Sequence, residues 1–401
     1  MAHYKISDVA EEVKDRENNP SESKYDRFVG LEHYVSGDVE ITHFGSTERL
    51  ESAMKVFKAG DILIARRNVY LKRASTVSFD GLTSGDSIVL RAKDPTIARI
   101  LPFVLNTDDF WDYADQYSDG TMSKRLSPKL LLAYEFDLPD DGLEDFADLL
   151  WAANETRNSY RELLRQTDEL VKSQFIEVFG DPVENEKEWP VFPLSKIASS
   201  RLGKMLDKKK QTGLYQRKYL ANANVQWFSF DLNDLNQMDF NEDDQQEFSL
   251  VNGDLLVCEG GEIGRCAVWR EEINDCYFQK AIHRVRCNTE MILPEYLAHS
   301  FFYHSQKNGF ADIVSSKATI AHLPGDKLKA MGVIVPPIEL QQQFVSFVEQ
   351  SDKSKFVCSN RNLSRCLLFE IGASVAWAIF MTSNPANEFM RKTLLIMASL
   401  F

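Results

Sequence analysis

The longest regular pattern of apolar and polar positions in the chain runs from about Leu143 to Phe179. Apolar side chains recur there at mixed spacings of three and four, and the segment contains no glycine or proline. This pattern predicts one amphipathic helix with a seam close to a heptad, ended by Gly180-Asp181-Pro182. At about 1.5 Å per residue it would be roughly 55 Å long, which is longer than a small domain is wide.

Residues 1–140 alternate short apolar runs with turn residues, a pattern that is typical of strands. The predicted elements are strands at Ile62–Ala65, Ser75–Phe79, Ser87–Arg91 and Tyr134–Pro139, and a helix over Ile97–Leu105 behind Asp94-Pro95.

The same order of elements recurs in residues 182–337. The predicted elements there are strands at Leu255–Cys258, Cys266–Trp269, Ala281–Arg286 and Gly332–Pro337, and a helix from Pro294 to about Tyr303. A Gly-Asp turn precedes the first strand of both regions, and the matching elements are offset by roughly 195 residues. The near-constant offset predicts an internal duplication.

The predicted fold is α+β, with two pseudo-symmetric α/β globules separated by two long antiparallel helices that form a coiled-coil spacer. The domains would be globules at 1–140 and 182–337, helices at 141–181 and 338–368, and a tail at 369–401. Ser351–Lys355 interrupts the apolar stripe of the second helix. The tail is apolar and would pack on the domain, contact a partner or derive from an altered reading frame.

The overall charge argues against a protein that coats nucleic acid through bulk positive charge. Sixty acidic residues outnumber 46 basic ones, for a net charge of −14. Local basic patches remain compatible with this balance. The six cysteines include no CxxC pair, which indicates reduced thiols. The polar N-terminus and the lack of a long apolar run predict a cytoplasmic protein that does not enter membranes.

No motif for catalysis is present in the sequence. It lacks a phosphate-binding loop of the GxxxxGK[ST] type, an HExxH pair and the Asn/Asp-Pro-Pro-aromatic run of base methylation. Asp15, Glu22 and Lys24 have the residue types of a nuclease, but no predicted strand fixes them. Zinc-ligand spacing is absent from the set Cys258, Cys266, Cys276, Cys287 and His283. We therefore expect no catalytic residue, metal or cofactor in this chain.

Basic clusters are the more informative feature, because locally concentrated Lys and Arg favour phosphate contacts. The densest cluster runs from Arg201 to Lys218 with interleaved tyrosines. A solvated loop is the alternative for each cluster. The candidate DNA-binding residues are Arg66, Arg67, Lys72, Arg73, Lys124, Arg125, Arg201, Lys204, Lys208, Lys209, Lys210, Arg217, Lys218, Arg265, Lys280 and Lys317.

Distinctive local motifs lie at Lys172–Pro182, Trp189-Pro190, Gly253–Val257, Gly261–Arg265, Gln279–Ile282, Ala318–Leu323 and Val335–Phe344, with Gly60-Asp61, Gly120–Leu126 and Leu138-Pro139 in the first region. These motifs resemble the DNA-specificity subunit of Type I restriction–modification systems, and the likeness covers residues 1 to about 368. Residues after 368 depart from the family pattern.

The resemblance implies that two target-recognition domains each read half of a split site in double-stranded DNA, while the helices set the spacing. The helices would also dock methyltransferase (modification) subunits that bind S-adenosylmethionine, and Arg157, Arg161 and Glu169 are candidates for that contact. A restriction subunit would add activity that depends on ATP and Mg²⁺. A coiled-coil interaction scaffold without a DNA role and a stand-alone nuclease are the rival interpretations.

Overall fold

A computed structural model describes residues 2–120, 123–207, 211–310 and 322–359. The chain divides into two units, of which unit 1 includes Met1–Leu163 and unit 2 comprises Leu164–Phe356. The mixture of helices and sheets expected for an α+β protein is confirmed. Within the described residues, no helix is long and apolar enough to cross a membrane.

Unit 1 combines short strands with helices that begin at well-defined caps. Its strands are β1 (Ala2–Lys5), β2 (Ala10–Val13), β3 (Arg16–Glu17), β4 (Arg27–Val29), β5 (Gly45–Ser46), β6 (Met54–Phe57), β7 (Ile62–Ala65), β8 (Ala74–Thr76), β9 (Gly81–Thr83), β10 (Ser87–Ala92) and β11 (Glu135–Leu138). Its helices are α1 (Ile6–Val9), α2 (Pro95–Val104), α3 (Asp108–Tyr117), α4 (Pro128–Ala133) and the first part of α5 (Leu143–Phe179).

Two larger sheets form the frame of unit 1. One has the strand order β2-β10-β7-β8, and the other has the order β3-β6-β9-β4-β5. Helix α2 begins at Pro95, before the predicted start at Ile97. Asp94 caps it by accepting hydrogen bonds from the backbone N–H groups of Thr96 and Ile97, and Pro95 occupies its first turn.

Unit 2 repeats this succession of elements. Its strands are β12 (Val191–Pro193), β13 (Ala198–Leu202), β14 (Gln216–Leu220), β15 (Val225–Gln226), β16 (Ser229–Phe230), β17 (Gln237–Asp239), β18 (Leu255–Cys258), β19 (Cys266–Val268), β20 (Cys276–Phe278), β21 (Ile282–Cys287) and β22 (Gly332–Ile334). Its helices are the rest of α5, α6 (Leu194–Ile197), α7 (Glu242–Phe248), α8 (Pro294–Gln306), α9 (Gly325–Ala330) and α10 (Ile338–Ser359), whose last residues lie beyond unit 2.

The sheets of the two units have matching topologies. The order β13-β21-β18-β19 in unit 2 corresponds strand for strand to β2-β10-β7-β8 in unit 1. The match extends to a parallel pair, since β14 lies between β20 and β17 as β4 lies between β9 and β5. Matching strand orders agree with the internal duplication that the sequence predicts.

The two Gly-Asp turns have the same ion pair, between a buried aspartate and a partly exposed arginine. Gly60 and Gly253 adopt left-handed φ values of 88° and 89°, which favour glycine. The carboxylate of Asp61 then accepts two hydrogen bonds of 2.7 Å from Arg91. In unit 2, the carboxylate of Asp254 accepts bonds of 2.7 and 2.8 Å from Arg286 on β21. Each pair ties the start of one central strand to the end of its neighbour.

Helix α5 is confirmed over all of its predicted 37 residues. In unit 1, Phe146 and Leu150 contribute to the core. In unit 2, the ring centroids of Phe175 and of Phe344 on α10 lie 5.4 Å apart. Between these ends, Leu170 is 54% exposed, although the sequence pattern assigns it to the buried stripe. The apolar stripe of α5 is therefore buried toward the two ends of the helix, where each unit packs against it.

Several element boundaries differ from the prediction. The strand predicted at Ser75–Phe79 ends at Thr76, after which Val77 and Phe79 are buried outside the sheet. The second long helix, predicted over 338–368, is described as far as Ser359. Residues 360–401, which include the predicted tail, lie outside the described part.

Candidate nucleic-acid interface

Most of the predicted DNA-binding residues in the described part lie at one end of the four-stranded sheet of each unit. We call this end the loop edge. In unit 1 it consists of the connection Arg66–Arg73, the turn before β10 and residues Lys124-Arg125. In unit 2 it consists of Gly203-Lys204, Glu259–Arg265 and Gln279–Ala281. The strand registers place the Asp–Arg pairs toward the opposite end of the same sheets.

Arg67 and Arg125 share a single carboxylate at the loop edge of unit 1. Each donates a hydrogen bond of 3.0 Å to Oδ1 of Asp86. Their side chains are 52% and 45% exposed. Two guanidinium groups on one carboxylate leave net positive charge at the surface. Arg66 is half-buried and donates to the Leu126 carbonyl at 3.1 Å, and burial followed by repulsion from Arg125 lowers its pKa.

The two lysines of this edge have carboxylate partners within unit 1. Lys72 pairs with Asp108, and Lys124 donates to the Asp115 carboxylate at 2.6 Å. Their charge is therefore partly compensated, which makes the two arginines the more prominent positive groups.

Arg73 and Arg265 occupy equivalent positions and have equivalent partners. Each ends a hairpin loop, where its carbonyl accepts from Ala65 or Cys258 at 3.0 or 2.8 Å. The Arg73 guanidinium donates to the carbonyl of Leu31 at 3.1 Å. The Arg265 guanidinium donates to the carbonyl of Asn222 at 2.9 Å.

Leu31 and Asn222 are the first residues of matching 3-10 turns, Leu31–His33 and Asn222–Asn224. The two arginines therefore fix a turn against a loop in both units. This contact leaves the Arg265 side chain only 16% exposed.

The loop edge of unit 2 is built on a close backbone approach. A Cβ on Gly203 would lie 2.2 Å from the carbonyl oxygen of Gln279, so only glycine fits there. The backbone N–H of Lys280 donates to the Lys204 carbonyl at 2.8 Å. The Lys204 ammonium turns inward to Asp239 and Asp244, whereas Lys280 is exposed.

The remaining predicted residues of unit 2 lie on or beside the sheets. Arg201 pairs with Glu247 and lies 5.7 Å from the ring centroid of Phe248. Arg217 and Lys218 belong to β14 in the separate three-stranded sheet, where Lys218 is exposed. Lys208, Lys209, Lys210 and Lys317 lie outside the described residues.

Asp239 orders the segment that precedes β14. Its carboxylate accepts a hydrogen bond from Thr212 N–H, another of 2.8 Å from Gly213 N–H and another of 3.2 Å from Tyr215 N–H. Burial opposes the charged form of Asp239, but the hydrogen bonds from Thr212, Gln216 and Gly213 outweigh it and lower its pKa. This carboxylate therefore holds Thr212, Gly213 and Tyr215, which lie within the basic cluster just before Arg217.

Two of the three predicted docking residues are engaged within unit 1. Arg157 is 7% exposed and donates to Oδ1 of Asn154 at 2.6 Å. Arg161 pairs with Asp38. Arg157 also lies 3.6 Å from the Asp38 carboxylate, so both arginines fasten α5 to the loop that contains Asp38, although the Arg161 side chain is 51% exposed. The Glu169 side chain is exposed.

Sequence reasoning missed the Asp61–Arg91 and Asp254–Arg286 pairs. The Gly-Asp turns were visible, but the arginine partner of each depends on strand register. It also missed Arg284, which donates to the carbonyls of Glu247 and Ser249 at 3.1 and 2.7 Å.

The described cysteines behave as core residues. Burial raises the pKa of the Cys258 thiol to about 11 and that of Cys276 to about 12. Protonated thiols are poor metal ligands. Among the described residues, no group of three His, Cys, Asp or Glu side chains is arranged to hold a metal ion.

Residues 186–363 match the family model of the Type I restriction modification DNA specificity domain. The chain is similar to that family over this segment. The resemblance predicted from the sequence motifs is thereby confirmed, and the specificity domain contains the whole loop edge of unit 2. Residues 1–163 of unit 1 lie outside the matched segment and share its sheet topology.

The chain also resembles individual proteins that are named as specificity subunits. A Haemophilus influenzae protein named as a type I restriction enzyme specificity subunit is 32% identical over 99 residues, which are 24% of this chain and 24% of the relative. The crystal structure of a Type-I restriction-modification system S subunit from M. genitalium has a TM-score of 0.52 at 13% identity, covers 100% of this chain and 96% of that chain, and shows a shared fold. An HsdS subunit from Thermoanaerobacter tengcongensis is 15% identical over 100% of this chain and 96% of that chain, with a TM-score of 0.39.

Proposed function

We propose that the chain is the DNA-recognition subunit of a Type I restriction–modification complex, in which each unit reads one half of a bipartite site. The observation that carries this proposal is the loop edge, which recurs with basic residues at the same end of matching sheets in both units. A chain with two similar DNA-reading units suits a target that consists of two half-sites.

Exposed cations at the loop edges would position each unit on the duplex through its phosphates. Arg67 and Arg125 in unit 1, and Lys280 in unit 2, are the residues we assign to this role. Side chains of the adjoining loops would contact base edges in the major groove. Arg73, Arg265 and Lys204, whose ammonium group faces inward, would hold those loops in place.

The net charge of −14 opposes approach to DNA. Partner subunits are therefore expected to supply part of the positive surface, so the isolated chain should bind DNA weakly.

Helix α5 would set the distance between the half-sites. We propose that it pairs in antiparallel fashion with α10 and separates two target-recognition globules. A helix of roughly 55 Å corresponds to about 16 base pairs of duplex at about 3.4 Å each. Half-site centres would then lie on the order of one to one and a half turns apart.

We propose that the chain is non-catalytic and cytoplasmic. Modification subunits would bind S-adenosylmethionine and methylate adenine, and a restriction subunit would use ATP and Mg²⁺. Glu169 stays a candidate for modification-subunit contact, whereas Arg157 and Arg161 are assigned to holding the helix on unit 1.

Methylome sequencing tests the proposal directly. A host that expresses this chain together with its partner modification subunit should acquire adenine methylation at a split motif, and a host with the modification subunit alone should lack it. Absence of the motif would favour an interaction scaffold without a DNA role. Mg²⁺-dependent DNA cleavage by the purified chain alone would favour the nuclease interpretation.

A further inference from the structure

Each unit presents a large apolar side chain to solvent at or beside its loop edge. Tyr70 of unit 1 is 64% exposed, and Leu214 of unit 2 is 78% exposed. They are the most exposed of the large apolar side chains in the described part of their units. Single exposed apolar residues are common on protein surfaces. The support and the surroundings of these two therefore decide whether they have a role.

Tyr70 lies on a loop that is held at both ends. It is the central residue of a 3-10 turn flanked by Asn68 and Lys72, whose left-handed φ values are 55° and 47°. Such values are unfavourable for these residues and persist where contacts impose them. The Asn68 N–H donates to the Lys124 carbonyl at 3.1 Å, and the Lys72 carbonyl accepts from the Gly37 N–H at 3.1 Å. The loop thus fixes the direction in which Tyr70 points.

Leu214 lies on a turn that one carboxylate holds from both sides. Gly213 takes a left-handed φ of 77°. The Asp239 carboxylate accepts from the Gly213 N–H at 2.8 Å and from the Tyr215 N–H at 3.2 Å. The Lys204 ammonium donates to the backbone carbonyl of Asp239 and so attaches this turn to the loop edge. Leu214 is therefore presented beside the loop edge of unit 2 on a fixed support.

The surroundings of both side chains are basic. Tyr70 lies three residues after Arg67, which is assigned to phosphates, and Leu214 lies within the basic cluster from Arg201 to Lys218. Cations that bind phosphates would bring the neighbouring side chains to the grooves of the duplex. A rigidly held apolar side chain loses little conformational freedom when it is buried there.

The chemistry of the base edges identifies what such a side chain can contact. In the major groove the bases display hydrogen-bond donors, acceptors and one apolar group, the C5-methyl group of thymine. An apolar side chain placed on a donor or acceptor removes its water without replacing the hydrogen bond, which is unfavourable. Contact with the methyl group buries apolar surface on both partners, which is favourable.

We propose that Tyr70 and Leu214 are specificity-determining residues, each of which contacts the C5-methyl group of a thymine in one half-site. The assignment rests on the proposed function, because that function supplies the duplex and its two half-sites. It gives unit 1 and unit 2 different readers, a ring and a branched aliphatic group, on matching frames. Neither side chain carries charge, so both select sequence without changing the response of binding to salt.

Methylome sequencing of a host that carries the full chain and its partner modification subunit is the first test. Tyr70→Ala should relax the methylated motif at a thymine position of one half-site, and Leu214→Ala should relax it in the other. Tyr70→Phe keeps the ring and should keep the motif. Phe44→Ala and Val251→Ala are matched controls at exposed apolar positions away from the loop edges, and the motif should stay unchanged in both.

Deoxyuridine, which lacks the C5-methyl group, tests the contact itself. Fluorescence anisotropy measures binding of the assembled complex to a duplex with the motif, in which each thymine is replaced in turn. One replacement in each half-site should weaken wild-type binding roughly fourfold, the effect of one buried methyl group. Tyr70→Ala should remove this sensitivity in one half-site and Leu214→Ala in the other. Each variant should itself weaken binding roughly tenfold with an unchanged salt slope.

Two results would overturn the assignment and leave the proposed function standing. One is a bipartite motif that stays equally strict in both alanine variants. The other is wild-type binding that is insensitive to the loss of every thymine methyl group, a measurement that needs no variant to fold. If the wild-type chain directs no methylation at a split motif, the proposed function and the two readers fall together.

Discussion

Asp254 is completely buried, yet its only charged partner shown among the described residues is Arg286, whose side chain is 44% exposed. The carboxylate also accepts from the Val251 N–H at 2.9 Å. It thus closes its own turn and holds the end of β21 at once. Asp61 does the same in unit 1, where it accepts from Lys58 N–H at 2.8 Å and from Arg91.

Replacing either aspartate should destabilise its unit. Asp254→Asn and Asp61→Asn each remove charge-assisted bonds inside a buried site, at an expected cost of about 2 kcal/mol. Urea unfolding of the full chain measures the loss. Glu290→Gln, at an exposed position of unit 2, should leave the midpoint unchanged. Equal midpoints for Asp254→Asn and wild type would show that the pair does not stabilise the sheet.

Arg73 and Arg265 should be intolerant of a substitution that keeps their charge. Lysine cannot reproduce the directed guanidinium contact with the 3-10 turn. Arg265→Lys should therefore lower the DNA affinity of the assembled complex roughly tenfold, with little change in the slope of affinity against salt. If lysine restores full affinity, the arginine acts through its charge rather than by holding the turn.

Lys280 and Arg67 should show the opposite behaviour. Because they are assigned to phosphates, Lys280→Gln or Arg67→Gln should weaken binding to all DNA sequences and reduce the salt slope by about one. Filter binding at several salt concentrations measures both quantities. Lys196→Gln is a matched control, since Lys196 lies beyond the far end of β13 and is exposed. A full salt slope in the Lys280→Gln complex would contradict the assignment.

Stability should fall as the pH drops below neutrality. Burial lowers the pKa of His283, which is bonded to the Leu323 carbonyl at 3.1 Å, and burial also lowers that of His304. A depressed folded-state pKa means that the unfolded chain binds more protons below about 6.5. The stabilising contribution is present above that pH and is lost as the pH falls toward the folded-state value.

Urea unfolding at pH 7.5 and 5.5 checks this dependence. His283→Gln should flatten the difference between the two conditions, and His43→Gln, at an exposed position, should not. A His283→Gln variant with the full wild-type dependence would exclude His283 as a source.

The length of α5 should determine the spacing of the methylated motif. Inserting seven helix-forming residues after Leu164 lengthens the helix by about 10 Å, which corresponds to roughly three base pairs. Methylome sequencing of a host with this variant should show a longer non-specific spacer between the same half-sites. Unchanged spacing would mean that α5 does not act as the ruler.

Elements that depend on local pattern could be read from the sequence. Helix α5 was predicted residue for residue, because its apolar spacing is uninterrupted and Gly180 adopts a left-handed φ of 80° at its end. The strand Ile62–Ala65 was equally clear, since all its residues are apolar and it follows a Gly-Asp turn.

The loop edge could be predicted only in part. Composition identified the basic residues, but it could not show that Lys204 turns inward while Lys280 faces solvent, because that depends on the close approach of Gly203 and Gln279. Arg157 is a similar case, since helical periodicity alone gives no sign of the Asp38 loop that buries it.

The paired arginines that end the two hairpin loops have a consequence for how such a chain can change over generations. The loops Arg66–Arg73 and Glu259–Arg265 differ in length and in nearly every residue, yet both close on the same backbone contacts. Mutations between those fixed ends alter what the loop presents without disturbing the frame that carries it. New binding preferences can therefore arise in these loops while the capacity of the chain to fold is retained.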